Sequence, residues 1–337
     1  MAGTATETRE QPPPPEQPIP DHRAVRNELS AWSDGLLVIA ALGYVAFIGV
    51  LTLVRGVPLS GDVLLVVVGF AVLIMGRWRL ALLREWTPFV VLFLAYELMR
   101  GLADDAGLPV HVTDVVAVER WLFGGYLPTA MLQAWLRPSS GPDLVALLGT
   151  VVYLLHFVLP VATAVVLWRS RPALFHPYLV SLILLSFAGF VTYLLLPVAP
   201  PWLAAEMGKL GSAPGEAAVA YLKPDAFAGL VGSLGLDGPS LYDVAFRSIN
   251  ANPVAAFPSL HAAYPFLTFL VLRRAFGAAV GWLGLGYFLI VAVTIVYGAD
   301  HYVVDVIGGV LYAAGAYVAM WWLVRRRTAA LERRAAG

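Results

Sequence analysis

The chain has 337 residues, of which 59% are hydrophobic and 13% charged, with a formal net charge of zero. A soluble domain usually carries about 25% charged residues, so this deficit and a mean hydropathy of +0.76 argue against a soluble fold and for a polytopic membrane protein. Neutrality without a basic, aromatic-interleaved tract argues against nucleic acid as a partner, and the absence of cysteine excludes disulfides and thiolate metal sites.

Residues 1–30 form a separate region. The stretch Gln11-Pro12-Pro13-Pro14-Pro15-Glu16-Gln17-Pro18 predicts a solvated, extended, disordered tail. It has no apolar core and is not read as a signal peptide, so the first span is expected to target the protein. Apolar runs near 33–54, 60–76, 86–101, 143–168, 175–197, 259–273, 278–298 and 302–324 each approach the roughly 20 residues that cross a bilayer. The expected fold is therefore all-α, a polytopic membrane helix bundle of about eight spans. Residues 31–101 supply the N-terminal spans. Residues 102–141, with Asp104, Asp105, Asp114, Glu119 and Arg120, are too polar to span, and the amphipathic stretch Val115 to Leu136 is expected along the interface. Residues 142–325 make the catalytic membrane domain, and 326–337 a basic cytoplasmic tail. Within the domain, Leu196-Pro197-Val198-Ala199-Pro200-Pro201-Trp202 opens a large outer loop, 198–257. Its apolar patches around Ala217–Leu222 and Phe227–Leu236 predict a lid of short helices. Tyr193 and Trp202 are expected in an interfacial aromatic belt.

Basic residues set the orientation. With a cytoplasmic N-terminus, 15 of the 22 Lys and Arg residues fall on the cytoplasmic side, including the short loops Arg77-Trp78-Arg79 and Trp168-Arg169-Ser170-Arg171. This positive-inside bias puts both termini in the cytoplasm. The abundance of Arg, Ala and Gly suggests a bacterial source, hence a multi-pass protein of the bacterial inner membrane.

Two segments then stand out. Pro258-Ser259-Leu260-His261 opens the sixth span and Gly298-Ala299-Asp300-His301-Tyr302-Val303-Val304-Asp305 opens the eighth, both on the outer side. Ionisable groups at such positions are functional candidates by default. His301 and Asp305 share a helix face at i, i+4, so the carboxylate can hold one ring nitrogen and leave the other free. Ser259 and Asp300 are candidate caps of the two helices. Helix starts bind anions, phosphate among them. Two histidines there suit transfer at phosphorus: one imidazole attacks to form a phosphohistidine, and the other protonates the leaving oxygen and then activates an incoming hydroxyl.

These motifs resemble the type 2 phosphatidic acid phosphatase superfamily, which carries Pro-Ser-(Gly or Leu)-His and a later His-x-x-x-Asp. The resemblance covers 143–324. It implies that His301 is the nucleophile, Asp305 orients it, His261 is the acid/base, and neither metal nor cofactor takes part. The usual first motif, Lys-x6-Arg-Pro, is absent: Arg137-Pro138 has Ala130 in the lysine position, and Arg171-Pro172 lies on the wrong face. Leu260 in the Pro-Ser-Leu-His motif is similar to the inositol phosphorylceramide synthase branch, as are Tyr96-Glu97-Leu98-Met99-Arg100-Gly101 and Tyr153-x-x-His156. The branch implies phosphotransfer between a phospholipid, or another lipid phosphate, and an alcohol acceptor such as inositol or a lipid hydroxyl.

Tyr96, Arg100, His156, Arg247 and Ser259 are the candidate substrate-binding residues. Arg100 also suits a snorkelling role at the interface. Arg247 suits a phosphate clamp or an ordinary loop charge, and His156 a headgroup contact or a neutral interhelical hydrogen bond. Gly308-Gly309 suits close helix packing. Hydrolysis of a lipid phosphate or polyprenyl diphosphate is the alternative reaction. A lipid transporter or flippase is the alternative of another class, although repeated halves and broken helices are not evident. A silent scaffold of the same fold would have little use for the intact triad.

Overall fold

The structure, a computed structural model, describes residues 108–139, 143–211, 216–222 and 253–336. The Pro-rich tail, the first three predicted spans, Tyr96, Arg100, Arg247 and much of the predicted lid lie outside the described residues.

Within them the protein is helical, with isolated β-bridges between His111 and Val198 and between Val198 and Ala255. The helices are α1 (Thr113–Leu122), α2 (Pro128–Leu136), α3 (Leu144–Ser170), α4 (Pro172–Leu195), α5 (Pro201–Glu206), α6 (Leu260–Phe276), α7 (Ala278–Tyr297) and α8 (Val303–Ala336). A short 3₁₀ turn covers Glu216–Ala218. Three of these, α4, α7 and α8, are long and apolar enough to cross a membrane, and α3 is a fourth if its two bent halves count as one span. With 17 residues, α6 is about 25 Å long.

Local chemistry explains the boundaries. Asp143 caps α3 by accepting the Ala146 amide at 2.8 Å. Proline occupies the first turn of α2, α4 and α5, where its missing N–H costs nothing. The halves of α3, Leu144–Tyr153 and Val158–Ser170, meet at 45°. Pro160 explains the bend, because its ring clashes with the carbonyl of His156 one turn earlier. The bend falls where Tyr153 and His156 sit.

Two segments gain detail that the sequence reading left open. The stretch 115–136 is two helices, because Gly124 and Gly125 adopt positive φ of 63° and 96° and end α1. The basic C-terminal segment continues α8 to Ala336, since its Arg, Ala and Leu are strong helix formers.

Helix α6 is the centre of the bundle, packed against α3, α4, α7 and α8. Its Leu260, Ala263, Leu267 and Val271 join Tyr178, Leu182 and Leu185 of α4 in the main core. Lipid is as apolar as leucine, so burial alone does not hold such helices together; close packing and hydrogen bonds do. Hydroxyl pairs tie α4 to its neighbours: Ser186 with Tyr264 at 2.8 Å, Thr192 with Tyr312 at 2.7 Å, and Tyr178 with Thr268 at 3.3 Å. Each contributes about 0.6 kcal/mol. Trp282, Leu283, Leu289 and Ile290 on α7 are exposed, as a lipid-facing surface requires.

Candidate active site

The heads of α6 and α8 meet at one end of the bundle. The Ser259 hydroxyl caps α6 by accepting the Ala262 amide at 3.3 Å, as expected, and the Ser259 amide donates to the Asp305 carbonyl at 2.9 Å. Gly309 makes the approach possible, because a Cβ there would lie 2.2 Å from the Ser259 carbonyl oxygen. At Gly308 a Cβ would come within 2.5 Å of the Phe257 ring. Both glycines therefore serve close packing. Tyr193, expected in an interfacial belt, is instead buried and donates to the Pro258 carbonyl at 2.7 Å. A phenol end needs a partner once it faces inward.

Consequently His261 and His301, forty residues apart, stand with Nδ1 of the first 2.9 Å from Nε2 of the second. His301 is almost fully buried, and its Nδ1 lies 3.0 Å from the Ala256 carbonyl oxygen. A carbonyl only accepts, so Nδ1 carries the proton, and in the neutral ring Nε2 is the bare nitrogen. The lone pair that could attack phosphorus therefore points at His261. Asp305 is buried beside it, with Oδ2 3.5 Å from the same Nδ1. The Ala256 carbonyl, to which the sequence does not point, makes the shorter contact with this nitrogen. Asp305 Oδ2 is occupied by the Tyr302 amide at 2.8 Å. That bond folds the side chain back over the head of α8, so the helix begins at Val303 and His301 lies just before it.

Asp300 was the expected cap of α8. Instead, Glu119 of α1 accepts the Val303 amide at 2.8 Å and the Val304 amide at 3.0 Å. Glu119 is wholly buried. Burial pushes its carboxyl upward, the two amides pull it back down, and Asp305 nearby pushes it up again. The positive end of a helix is the place where such an acid is best tolerated. Sequence reasoning missed this role, although a signal existed. Val116 and Glu119 lie three apart on the buried face of α1, so a carboxylate occupies the apolar side of an amphipathic helix.

Two further contacts fix α1 and α2 over the site. The Gln133 amide nitrogen donates to the carbonyls of Tyr297 and Ala220, both at 2.8 Å, and its oxygen accepts the Ala220 amide at 3.0 Å. Arg120 pairs with Glu216 at 2.5 Å and also donates to the Leu210 carbonyl.

On the other side of His261 lies α3. The Tyr153 hydroxyl is 2.8 Å from His261 Nε2, and the two rings stack at 4.7 Å. His156 is buried with its ring 4.4 Å from that of His261. Its Nδ1 bonds the Tyr153 carbonyl at 2.5 Å, one turn earlier in α3. His156 thus reaches the site, while Tyr96, Arg100 and Arg247 lie outside the described residues. Ala130, in the lysine position of the missing motif, is buried. Arg171 bonds the Ala275 carbonyl at 3.0 Å, at the end of α6 opposite His261. Among the described residues no three His, Asp or Glu side chains are grouped to hold a metal ion.

The profile of the PAP2 superfamily matches residues 113–319. The chain belongs to that superfamily. The match spans α1 to α8 and both histidine motifs. The chain is also similar to a phosphoinositol dihydroceramide synthase of Bacteroides thetaiotaomicron, with 26% identity over 234 residues, 66% of this chain and 71% of the relative. No solved structure matches it. As a member of the PAP2 superfamily with apolar spanning helices, it is a multi-pass membrane enzyme that processes lipid phosphates.

Proposed function

We propose that this protein is a phosphotransferase that moves a phosphate-bearing headgroup from a membrane lipid to an alcohol, through a phosphohistidine. The observation that carries the proposal is the bare Nε2 of His301 facing Nδ1 of His261 at 2.9 Å. In the first half-reaction the Nε2 lone pair forms the N–P bond. The bond from phosphorus to the leaving oxygen breaks, and that oxygen takes a proton from His261 Nδ1. In the second, an acceptor hydroxyl attacks phosphorus, gives its proton to His261 Nδ1, and the N–P bond breaks. Substrate must displace the hydrogen bond between the histidines, because phosphorus and the leaving oxygen need the space between the two nitrogens. The Asp305 carboxylate and the Ala256 carbonyl hold the Nδ1 proton and favour positive charge on His301 during attack. Ser259 caps the α6 head where the phosphate oxygens would sit, and His156 is placed to contact the headgroup. Arg100, Arg247 and Tyr96 are the candidate phosphate and headgroup ligands.

An alcohol acceptor, inositol or a lipid hydroxyl, is preferred to water because the relative is named a synthase and Leu260 and the Tyr96–Gly101 motif are similar to that branch. The basic asymmetry of the sequence supports a site on the outer face of the membrane. The deciding experiment incubates purified protein with labelled phosphatidylinositol and other lipid phosphates, with and without alcohol acceptors and with EDTA present. Acceptor-dependent product and an acid-labile, base-stable phosphoenzyme are expected. Free inorganic phosphate or a phosphomonoester formed at an unchanged rate whether or not acceptor is present would favour hydrolysis. Binding without turnover would favour a transporter. Lys209→Cys and Glu332→Cys, in this cysteine-free chain, test the face. Labelling of intact cells by an impermeant maleimide at position 209 alone is expected, and labelling at 332 alone would reverse the topology.

A further inference from the structure

At the end of the bundle away from the histidines, two short turns meet. Arg171 joins α3 to α4, and Gly277 joins α6 to α7. Arg171 Nε donates to the Ala275 carbonyl at 3.0 Å, and its guanidinium lies 5.3 Å over the Phe276 ring. Arg274, next to Ala275, lies 3.7 Å over the Trp321 ring of α8. Two exposed guanidiniums are thus fixed on the last turn of α6. Like charges held together repel, yet neither forms an ion pair among the described residues. The only described acid towards this end is Glu332, about 15 Å further along α8 than Trp322.

Aromatic residues set the depth of this pair in the membrane. Trp168 near the end of α3, Trp282 in the second turn of α7, and Trp321 with Trp322 on α8 fall at the level of the two turns. Tryptophan collects at the level of lipid headgroups, so the arginines lie where lipid phosphates lie.

We infer that the two turns, with Arg171 and Arg274 at their centre, form a headgroup site for an anionic phospholipid of the leaflet at that end. A guanidinium laid flat on an aromatic ring keeps its N–H edge free, and that edge matches two phosphate oxygens at once. Arg274 spends none of its N–H groups on hydrogen bonds among the described residues, and Arg171 uses Nε and one terminal nitrogen on carbonyls. A zwitterionic lipid brings its own ammonium, which competes for the phosphate. A phosphodiester with an uncharged, hydroxylated headgroup does not, so the site favours net negative lipid. The ligand also bridges α6 and α8 through the Arg274–Trp321 contact, and should therefore stabilise the bundle. None of this depends on the reaction at the histidines.

The test uses full-length protein in nanodiscs of phosphatidylcholine with rising fractions of phosphatidylglycerol. Native mass spectrometry reads the lipid retained, and thermal unfolding reads stability. Wild type is expected to retain phosphatidylglycerol in preference to phosphatidylcholine and to unfold at higher temperature as its fraction rises. Arg274→Gln should lower that preference about tenfold, the worth of one hydrogen bond to a charged group, with little change of unfolding temperature in phosphatidylcholine alone. Arg274→Lys keeps the charge but loses the planar fork, and should recover less than half of the preference. Lipid held at the histidine end contributes equally to all three proteins and cancels in the comparison. No preference in wild type overturns the inference. So does a wild-type preference in Arg274→Lys, which would mean a diffuse basic surface without a site. If inorganic phosphate in detergent stabilises wild type as much as phosphatidylglycerol does, the site takes a free anion and the lipid assignment falls.

Discussion

The two ends of the helix bundle use ionisable side chains in opposite ways. At the histidine end, His301, Asp305 and Glu119 are buried, and their contacts join elements far apart in sequence. At the arginine end, Arg274 lies 3.7 Å over the Trp321 ring and Arg326 3.9 Å over Trp322, with both arginines exposed. Exposed cation–π contacts of this kind contribute about 0.5–1 kcal/mol each. They leave the charge in water while the aliphatic stem covers apolar surface. At the histidine end a lost partner strands a polar group away from water, at about 1–3 kcal/mol. The difference teaches where this molecule tolerates change: at the arginine end the contacts are exposed and separate, whereas at the histidine end they are buried and linked to one another.

Substitutions along that gradient test the comparison. The largest effect is expected at the two histidines. His301→Ala should abolish turnover and trapped phosphoenzyme together, and His261→Ala should cost about 10²- to 10⁴-fold, with an alkyl phosphate lipid suffering more than an aryl one. Rapid-quench assays on both substrates check this. If His301→Ala keeps measurable turnover while His261→Ala loses both substrates equally, the two roles are exchanged.

Asp305→Asn comes next. The amide oxygen can still accept from Tyr302 N–H, so the head of α8 should persist, but the negative charge beside His301 Nδ1 is gone. We expect kcat to fall with KM little changed, because the charge matters most as His301 becomes positive in the transition state. A rise in KM with kcat intact would instead make Asp305 a binding residue.

Glu119 sharpens the comparison, since it lies outside both histidine motifs. Glu119→Ala leaves the Val303 and Val304 amides without their acceptor and should destabilise the fold by about 0.5–2 kcal/mol, the usual cost of a lost helix cap. Turnover should fall as well, since the same amides position the segment holding His301. Glu119→Gln, which retains one acceptor, should lie between alanine and wild type. Thermal unfolding and kcat measured on the same preparations decide the point, and wild-type turnover in Glu119→Ala would mean that α1 does not support the site.

Arg274→Ala should have the smallest effect: unchanged kcat and a stability loss of about 0.5–1 kcal/mol. A large loss of activity there would break the contrast between the two ends.

The chemistry-bearing residues are legible in the sequence because their motifs are local. Pro258 to His261 and His301 to Asp305 each fit within five residues, and the hydropathy of the helices around them puts both at helix starts. The supporting residues are less legible. Val115–Leu136 reads as one amphipathic stretch because hydrophobic periodicity runs through Gly124 and Gly125, whose positive φ splits it. Asp300 reads as a cap because it precedes α8 at the right spacing. A carboxylate 184 positions before Val303 does the work instead. Tyr193 reads as interfacial because it lies near the end of an apolar run, yet the corner at Pro258 packs over it and takes its hydroxyl.

By itself, the sequence determined the helical membrane class, the apolar runs that form α3, α4, α6, α7 and α8, and the superfamily. It also determined that both histidines begin helices at the same end of the bundle. All of these follow from composition, periodicity and short spacings, which act over one or two turns. Only the tertiary structure decided which nitrogen of His301 is bare, that Ala256 shares its Nδ1 with Asp305, and that Tyr153 and Glu119 complete the site. A proton's position depends on what stands opposite each nitrogen, and here the partners come from four different segments. Their meeting depends on the packing of α1, α3, α6 and α8, down to a glycine at 309 small enough to let the helix heads touch.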